Sequence, residues 1–314
     1  MDTTRKAIGI DFGGTTIKSA VVQEGQLLEH GEVIDTTEHH GATAQIEEIL
    51  RVVGKLRAAH PEVAAVGVGL PGFIDSVNGV VHELTNVPGW DEVPLKQILQ
   101  ARTGLPAIIE NDAKAMAYGE TKYGAAKGCH FVLCITLGTG VGGALVLDGR
   151  LYRGAQLAAG EIGHTSIDYR GTPGLYNNPG DLETFVGNHK IAARASQLYK
   201  VAGRDVPPEQ CTPYDLEKAA RAGDAIARKM WENIGNELGC ALVNTIWLLN
   251  PDAIVIGGGV AKAGDLLFEP ITRTIKARTL PLFHEKLRIV PAALGNEAGI
   301  IGNAALALDA LPRK

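Results

Sequence analysis

The sequence predicts an α/β protein assembled from two related lobes, and three observations carry that prediction. Apolar runs of strand length alternate along the chain with stretches of helical periodicity. An opening pattern of apolar strand, Gly/Thr turn and apolar strand, AIGIDFGGTTIKSAVV from residue 7, recurs as FVLCITLGTGVGGALVL from residue 131. Both glycine turns run on into a second strand, where a doubly wound dinucleotide fold would enter a helix.

Taken in order, residues 7–10 read as a buried strand, 17–22 as its partner beyond the turn, and 27–34 as a third strand after Glu24-Gly25. Residues 42–59 place Ile46, Ile49, Leu50 and Val53 on one helical face and stop before Pro61. A strand at 63–69, a short helix at 95–102, a strand at 107–110 and a helix at 113–123 follow. Beyond the second hairpin come a long helix at 225–249, a strand at 253–256, a helix opened by Gly257-Gly258-Gly259, and a last helix near 298–308. The expected lobes are 1–117, joined by the C-terminal helix 298–314, and 118–297.

A chain of 314 residues, 45% hydrophobic and 21% charged, suits two packed lobes with a sizeable core. The formal charge of −5 and the absence of a basic stretch give no long-range attraction to nucleic acid or an anionic membrane, so neither is expected as a partner. Four cysteines without a CxxC pair read as free thiols in a reducing compartment. The chain opens directly into a strand, with no signal-peptide pattern and no apolar run long enough to span a bilayer, so the cytoplasm is expected.

Gly13, Gly14, Thr15 and Thr16 form the first turn. Glycine lets backbone N–H groups close around phosphate oxygens, and threonine hydroxyls add donors. Asp11 stands where a carboxylate can hold Mg²⁺, most readily through water, and Lys18 can neutralise phosphate charge. An ordinary hairpin with a solvent-facing Asp fits this turn equally well. The second turn, with Gly138, Thr139 and Gly140, adds weight to phosphate binding by repetition. Gly138/Gly140/Gly143 and Gly67/Gly69/Gly72 both satisfy G-x-G-x-x-G, but neither opens a helix, and no GxxxxGK[ST] occurs. Gly257, Gly258 and Gly259 lie between a strand and a helix, where a base or ribose can approach the backbone.

Asn111 and Asp112 sit at a strand-to-helix junction. An Asp there serves as a helix N-cap or as the general base of phosphoryl transfer, and local sequence weighs slightly toward the cap. Glu161 and His164, three apart between glycines, read either as surface residues or as a sugar-binding loop. Glu183, at a helix start, reads locally as solvated.

The ordered set DFGGTTIK (11–18), LPG (70–72), NVPGW (86–90), ENDAKA (110–115), TLGTGVGG (136–143) and GEIGH (160–164) resembles the ROK family of repressors, open reading frames and kinases, colinearly from about residue 7 to 303. The resemblance implies a two-lobed actin-like/hexokinase-like (ribonuclease H-like) ATPase fold. It also implies ATP-dependent phosphorylation of a hexose, with Mg²⁺ and a homodimer. Glucose is the expected acceptor, NVPGW looking most like glucokinases. Another hexose or N-acetylhexosamine such as N-acetylmannosamine, and polyphosphate as donor, are the alternatives. By resemblance Asp112 matches the catalytic base. Asn111, Glu161, His164 and Glu183 match sugar-binding positions, with Gly72 and Asn86 in stretches lining the same site. Gly13, Thr15, Gly138, Thr139 and Gly258 match nucleotide-binding segments. A sugar-responsive repressor is disfavoured, since the phosphate motif begins by Asp11 and leaves no room for a helix-turn-helix.

Two departures stand out. Family members commonly bind zinc through a His and three cysteines, whereas residues 165–183 hold no cysteine. No zinc is therefore expected, with His164 oriented by hydrogen bonds and its loop held by packing. Lys114 replaces the usual Asn and is expected to face solvent.

Overall fold

The apolar run that marks the first strand is buried in the structure, a computed structural model that describes residues 5–85 and 87–312. The chain runs β1 (Lys6–Phe12), β2 (Thr16–Gln23), β3 (Gln26–His30), β4 (Ile34–Asp35), α1 (Gly41–Ala59), β5 (Val63–Leu70), β6 (Gly72–Asp75), β7 (Val80–Leu84) and β8 (Asp91–Val93). It continues through α2 (Leu95–Thr103), β9 (Ala107–Asn111), α3 (Asp112–Lys122), β10 (Val132–Leu137), β11 (Val141–Leu147) and β12 (Arg150–Tyr152). Then come α4 (Leu182–Val186), α5 (Asn188–Val201), α6 (Pro213–Arg221), α7 (Ala225–Leu249), β13 (Ala253–Gly258), α8 (Asp265–Arg278), α9 (Pro281–His284), β14 (Arg288–Pro291) and α10 (Ala298–Asp309).

Two units divide the chain, one comprising 1–128, 153–157 and 293–314, the other 129–152 and 158–292. The duplication read from the sequence is carried into both. In the first unit the strand order is β3-β2-β1-β5-β9, and in the second β12-β11-β10-β13-β14. Corresponding neighbours pair in the same sense: the first three strands of each order are antiparallel, the last three parallel. A hairpin can close over a tight turn, whereas a parallel neighbour needs a crossover through helix. Each glycine turn therefore sits at the tip of a hairpin whose first strand is central in its sheet. The fold class is mixed α/β, with one five-membered strand order of this kind in each unit.

In the first unit, Ile8, Ile10, Phe12, Val66 and Val68 pack with Ile49, Val53 and Leu99 on one sheet face, and α10 covers the other through Ile300, Ile301 and Ala304. Here backbone meets backbone. A Cβ on Gly9 or Gly67 would overlap the carbonyls of Ile300 or Asn303, and one on Gly302 would overlap the Ala115 carbonyl of α3. The second unit is built around α7, whose Trp231, Leu238 and Leu242 are fully buried.

Glu120 on α3 is 0% exposed. Its carboxylate accepts from the backbone N–H of Ala125 at 2.8 Å, Ala293 at 3.1 Å and Leu294 at 2.7 Å. These residues lie close to two of the points where the chain passes from one unit to the other. Three backbone donors satisfy a buried carboxylate that would otherwise be strongly unfavourable.

The structure departs from the sequence reading in two elements. The expected strand 27–34 breaks into β3 and β4, because the β2–β3 register slips at Val21/Val22 and Gly31 turns back to bond Ser19. The glycine run 257–259 leads first into a 3₁₀ turn, Val260–Ala263, and α8 begins only after Gly264, whose φ of 61° no helix accommodates. The antiparallel sheet β6-β7-β8 has strands of only 4, 5 and 3 residues, too short for a periodicity signal.

Substituting Gly302→Ala forces a methyl into the Ala115 carbonyl and should destabilise the protein by about 3 kcal/mol. Gly54→Ala, mid-α1 with nothing within 4 Å, should instead stabilise by about 0.5–1 kcal/mol. Urea midpoints at unchanged m-value would measure both; equal shifts for the two variants contradict the packing argument.

Candidate active site

In the first unit, β1 delivers Asp11 to its C-terminal end, directly across the hairpin from Lys18 on β2. The turn between them is closed by Gly13 N–H donating to Thr16 O at 2.9 Å. Thr36 braces it from behind: its N–H donates to Thr15 O at 2.9 Å and its hydroxyl to Gly14 O at 2.8 Å. Gln45 in turn donates to Thr36 O at 3.3 Å and accepts from Trp90 Nε1 at 2.6 Å. Trp90 meets Phe12 edge-on. A Cβ on Gly14 would meet nothing within 4 Å, so that side of the turn is open to a ligand.

Parallel pairing sets Leu70 of β5 beside Asn111 of β9, so the segment Pro71-Gly72 leaves the sheet next to Asn111. Gly72 has φ 124°, and a side chain there would overlap Glu83 O. Its glycine is thus demanded by the β6–β7 approach. Asn86 lies outside the described residues. Asn111, not Asp112, caps α3: its Oδ1 accepts from Lys114 N–H at 3.2 Å. That corrects the local cap reading, because Asp112 is the first helical residue, where its side chain points from the helix start without closing the cap. Asn111 N–H donates to Glu110 Oε1 at 3.0 Å, and Glu110 Oε2 accepts from Arg153 Nε at 2.7 Å. The strand end bearing Asn111 and Asp112 is fixed by that buried chain.

Asp11 and Asp112 are close enough to repel. Burial first, and then the Asp112 charge, push the Asp11 carboxyl up from 3.8 to about 6, with Glu297 adding to the effect and Lys18 opposing it. Oxygen donors of this kind suit a hard divalent cation such as Mg²⁺, and Asp11 is the residue here that would hold one. Lys114 is 2% exposed, against the expectation that it faces solvent. It shares with Ala117 and Thr121 the i, i+3, i+7 stripe that α3 buries.

In the second unit, parallel pairing of β10 with β13 sets Thr136 beside Gly257 and Leu137 beside Gly258, so the second turn and the glycine run form one surface. Gly258, φ 87°, would overlap Leu137 O if it carried a side chain. The turn closes through Gly138 N–H to Gly140 O at 3.0 Å. Gly138, like Gly14, has open space where a Cβ would be; Gly140 does not. A methyl there would sit 2.5 Å from Glu183 Oε2, which accepts from Val141 N–H at 2.8 Å. Thr139 O lies against Gly187, and Asn188 N–H donates to Gly138 O at 3.0 Å.

Glu161 is exposed and opens the 3₁₀ turn Ile162–His164, which packs on β11 through Gly143, Gly160 and Gly163. His164 Nδ1 is buried without a hydrogen-bond partner among the described residues, 4.0 Å from Asp181 Oδ2, and its ring meets Tyr176 edge-on at 4.8 Å. The following loop is held by hydrogen bonds: Ile167 N–H to Gly180 O, Gly180 N–H to Thr172 O, Gly174 N–H to Asn178 O, Leu182 N–H to Thr165 O and Asn178 Nδ2 to His164 O. The sequence reading is inverted here, with packing orienting the histidine and hydrogen bonds holding the loop. Asp181, 2% exposed, was missed. It caps α4 at Thr184 N–H and faces His164, and the D-x-x-T spacing is its only local signal. The donor set does not fit zinc: the loop has no thiolate, and among the described residues no three His, Cys, Asp or Glu side chains converge.

The structure thus gathers Asp11, Gly13, Gly14, Thr15, Lys18, Gly72, Asn111 and Asp112 at strand ends of the first unit. In the second, Gly138, Thr139, Gly140, Glu183, Gly257 and Gly258 lie together at the second turn, and Glu161 and His164 lie on the 3₁₀ turn that packs on β11.

The profile of the ROK family matches residues 7–310. A glucokinase of Halalkalibacterium halodurans is 38% identical over 94% of this chain and 92% of its own length. The crystal structure of a ROK family glucokinase from Streptomyces griseus in complex with glucose and AMPPNP superposes with a TM-score of 0.76 at 30% identity, covering 97% of this chain and 99% of that one. The DNA-binding transcriptional repressor Mlc of Escherichia coli is 30% identical over 79% of this chain and 61% of its own length.

Asp11 carries its raised pKa only in the folded state, so its charge opposes folding above pH 6 and the penalty fades as pH falls through 6 to 3.8. Asp11→Asn should therefore be more stable than the parent by up to about 3 kcal/mol at pH 8, with no difference below pH 3.8. Denaturant titrations across that range check it; a gap that persists at low pH contradicts it. A strong zinc chelator should leave the melting temperature unchanged, whereas Asp181→Ala should lower it by several degrees.

Proposed function

The chain belongs to the ROK family, and on that footing we propose that it transfers the terminal phosphate of ATP to the 6-hydroxyl of glucose. The observation that carries the reading is the Asp11–Asp112 pair. Two carboxylates are held at the C-terminal ends of β1 and β9, on either side of β5, one of them so buried and so repelled that its pKa rises to about 6. Structure alone gives no return for that charge, but a site that receives a cation and a hydroxyl does.

In this reading Asp112 accepts the proton of the attacking hydroxyl as its oxygen bonds to the γ-phosphorus and the bond to the bridging oxygen of ADP breaks. Such a base contributes about 10²–10⁴-fold. Asn111 spends its Oδ1 on the helix cap, which leaves its amide N–H₂ as the group to donate to a sugar hydroxyl. Glu161, His164 and Glu183 are proposed as further sugar contacts on the strength of the family resemblance. The open sides of Gly14 and Gly138 let the two turns offer backbone N–H groups to the phosphates, and Lys18 offsets their charge. Mg²⁺ bound at Asp11, directly or through water, would neutralise charge on the transferring group. Gly257 and Gly258 let the nucleoside approach β13, and the reaction belongs in the cytoplasm, where ATP is supplied.

Release of ADP, coupled to a dehydrogenase readout, should show one dominant kcat/KM among hexoses and N-acetylhexosamines, with glucose first. A dominant N-acetylmannosamine would replace the acceptor; activity with polyphosphate but not ATP would replace the donor. Silence with every pair would overturn the kinase reading. Asp112→Asn should lose about 10³-fold in kcat while calorimetry still detects glucose binding.

A further inference from the structure

Glu183 enters the proposed function as a sugar contact, yet one of its two carboxylate oxygens is already committed elsewhere. Oε2 accepts from Val141 N–H at 2.8 Å, at the exit of the turn that holds Gly138 and Gly140. Oε1 makes no hydrogen bond among the described residues. Gly140 leaves room for this carboxylate, since a methyl there would come within 2.5 Å of Oε2 and 3.8 Å of Oε1 and would displace it. Two further ties hold the same turn to the same segment: Asn188 N–H donates to Gly138 O at 3.0 Å, and a Cβ on Gly187 would come within 3.0 Å of Thr139 O. Within the turn itself Gly138 N–H donates to Gly140 O, and the β10–β11 pairing resumes at Leu137 and Val141.

We propose that Glu183 is a positioning residue for the phosphate turn, its Oε2 fixing the turn through Val141 N–H while Oε1 engages the acceptor, so that sugar and nucleotide binding are coupled through one side chain inside the second unit. The inference rests on the sugar-kinase reading for Oε1, but its Oε2 half stands on the geometry of the turn alone. An acceptor hydroxyl on Oε1 fixes the carboxylate plane and so sharpens the bond at Oε2. By thermodynamic reciprocity a nucleotide on the ordered turn strengthens sugar binding by the same factor. This coupling needs no movement of one unit against the other.

The test measures AMPPNP affinity by calorimetry, without sugar and with saturating glucose, for the parent, Glu183→Gln, Glu183→Ala and Gly140→Ala. The parent should bind AMPPNP several-fold more tightly with glucose. Glu183→Gln, which retains an acceptor for Val141 N–H, should keep the sugar-free AMPPNP affinity within about twofold and lose most of the coupling. Glu183→Ala should lose about 5–10-fold of the sugar-free affinity, one hydrogen bond's worth. Gly140→Ala, which pushes the carboxylate off Val141, should behave like it. The rescue by Gln separates positioning from a general loss of fold, and unchanged melting temperatures support the same conclusion. Sugar-free AMPPNP affinity that is equal in the parent and Glu183→Ala overturns the proposal, as does a parent that binds no AMPPNP. Should the parent bind AMPPNP but no hexose, the sugar reading fails; the Glu183→Ala loss would then still establish the positioning of the turn.

Discussion

The first unit depends on one constraint, the contact of the α10 backbone with the strands and helix beneath it. Gly9 and Gly67 remove side chains from the faces of β1 and β5, and Gly302 lets α10 rest directly on the Ala115 carbonyl. Asn303, fully buried, donates to Ile10 O at 2.8 Å, one residue before Asp11. Because Asp11 is the penultimate residue of β1, α3 begins at Asp112 and α10 begins beside Glu297, the same close packing fixes where all three carboxylates emerge. The acidic site is a consequence of helix–sheet distance as much as of its own residues.

The two glycine turns share hairpin geometry but not their supports. Thr36, backed by Gln45 and Trp90, braces the first through backbone carbonyls of Gly14 and Thr15. Glu183 and the start of α5 brace the second through Val141 N–H and Gly138 O. The first brace is neutral and buried, and nothing that binds at the turn changes its charge. The second includes a carboxylate with one oxygen unspent, so a ligand can act on it. Duplication of the topology has left the frame alike and the braces specialised.

What was legible in the sequence follows from how local each signal is. The repeated hairpin shows because its apolar alternation and its glycines lie within sixteen contiguous residues, and α7 shows because its period runs for seven turns. The cap at Asn111 was misassigned to Asp112 because Asn and Asp are nearly equal caps and only the hydrogen bond to Lys114 distinguishes them. Lys114 reads as exposed because lysine usually is; its burial follows from the α3 stripe shared with Ala117 and Thr121, which the packing of the helix decides. Glu120 had no local signal at all, since two of its three donors lie more than 170 residues away. The loop 165–183 was legible in what it lacks, but its hydrogen bonds run between backbone groups, which any sequence possesses.

The raised pKa of Asp11 ties these threads together. A carboxylate that must shed its proton near pH 6 in a folded protein opposes the fold at neutral pH. Lys18, across the hairpin, relieves part of that charge, and a cation held at Asp11 would relieve more. A ligand that binds the folded chain alone adds RT ln(1 + [L]/Kd) to stability, about 2.7 kcal/mol at a hundredfold excess over Kd. That is comparable to the largest penalty the Asp11 shift represents. On the proposed reading, a ligand bound at that excess would therefore offset the penalty that the buried Asp11 charge imposes on the fold.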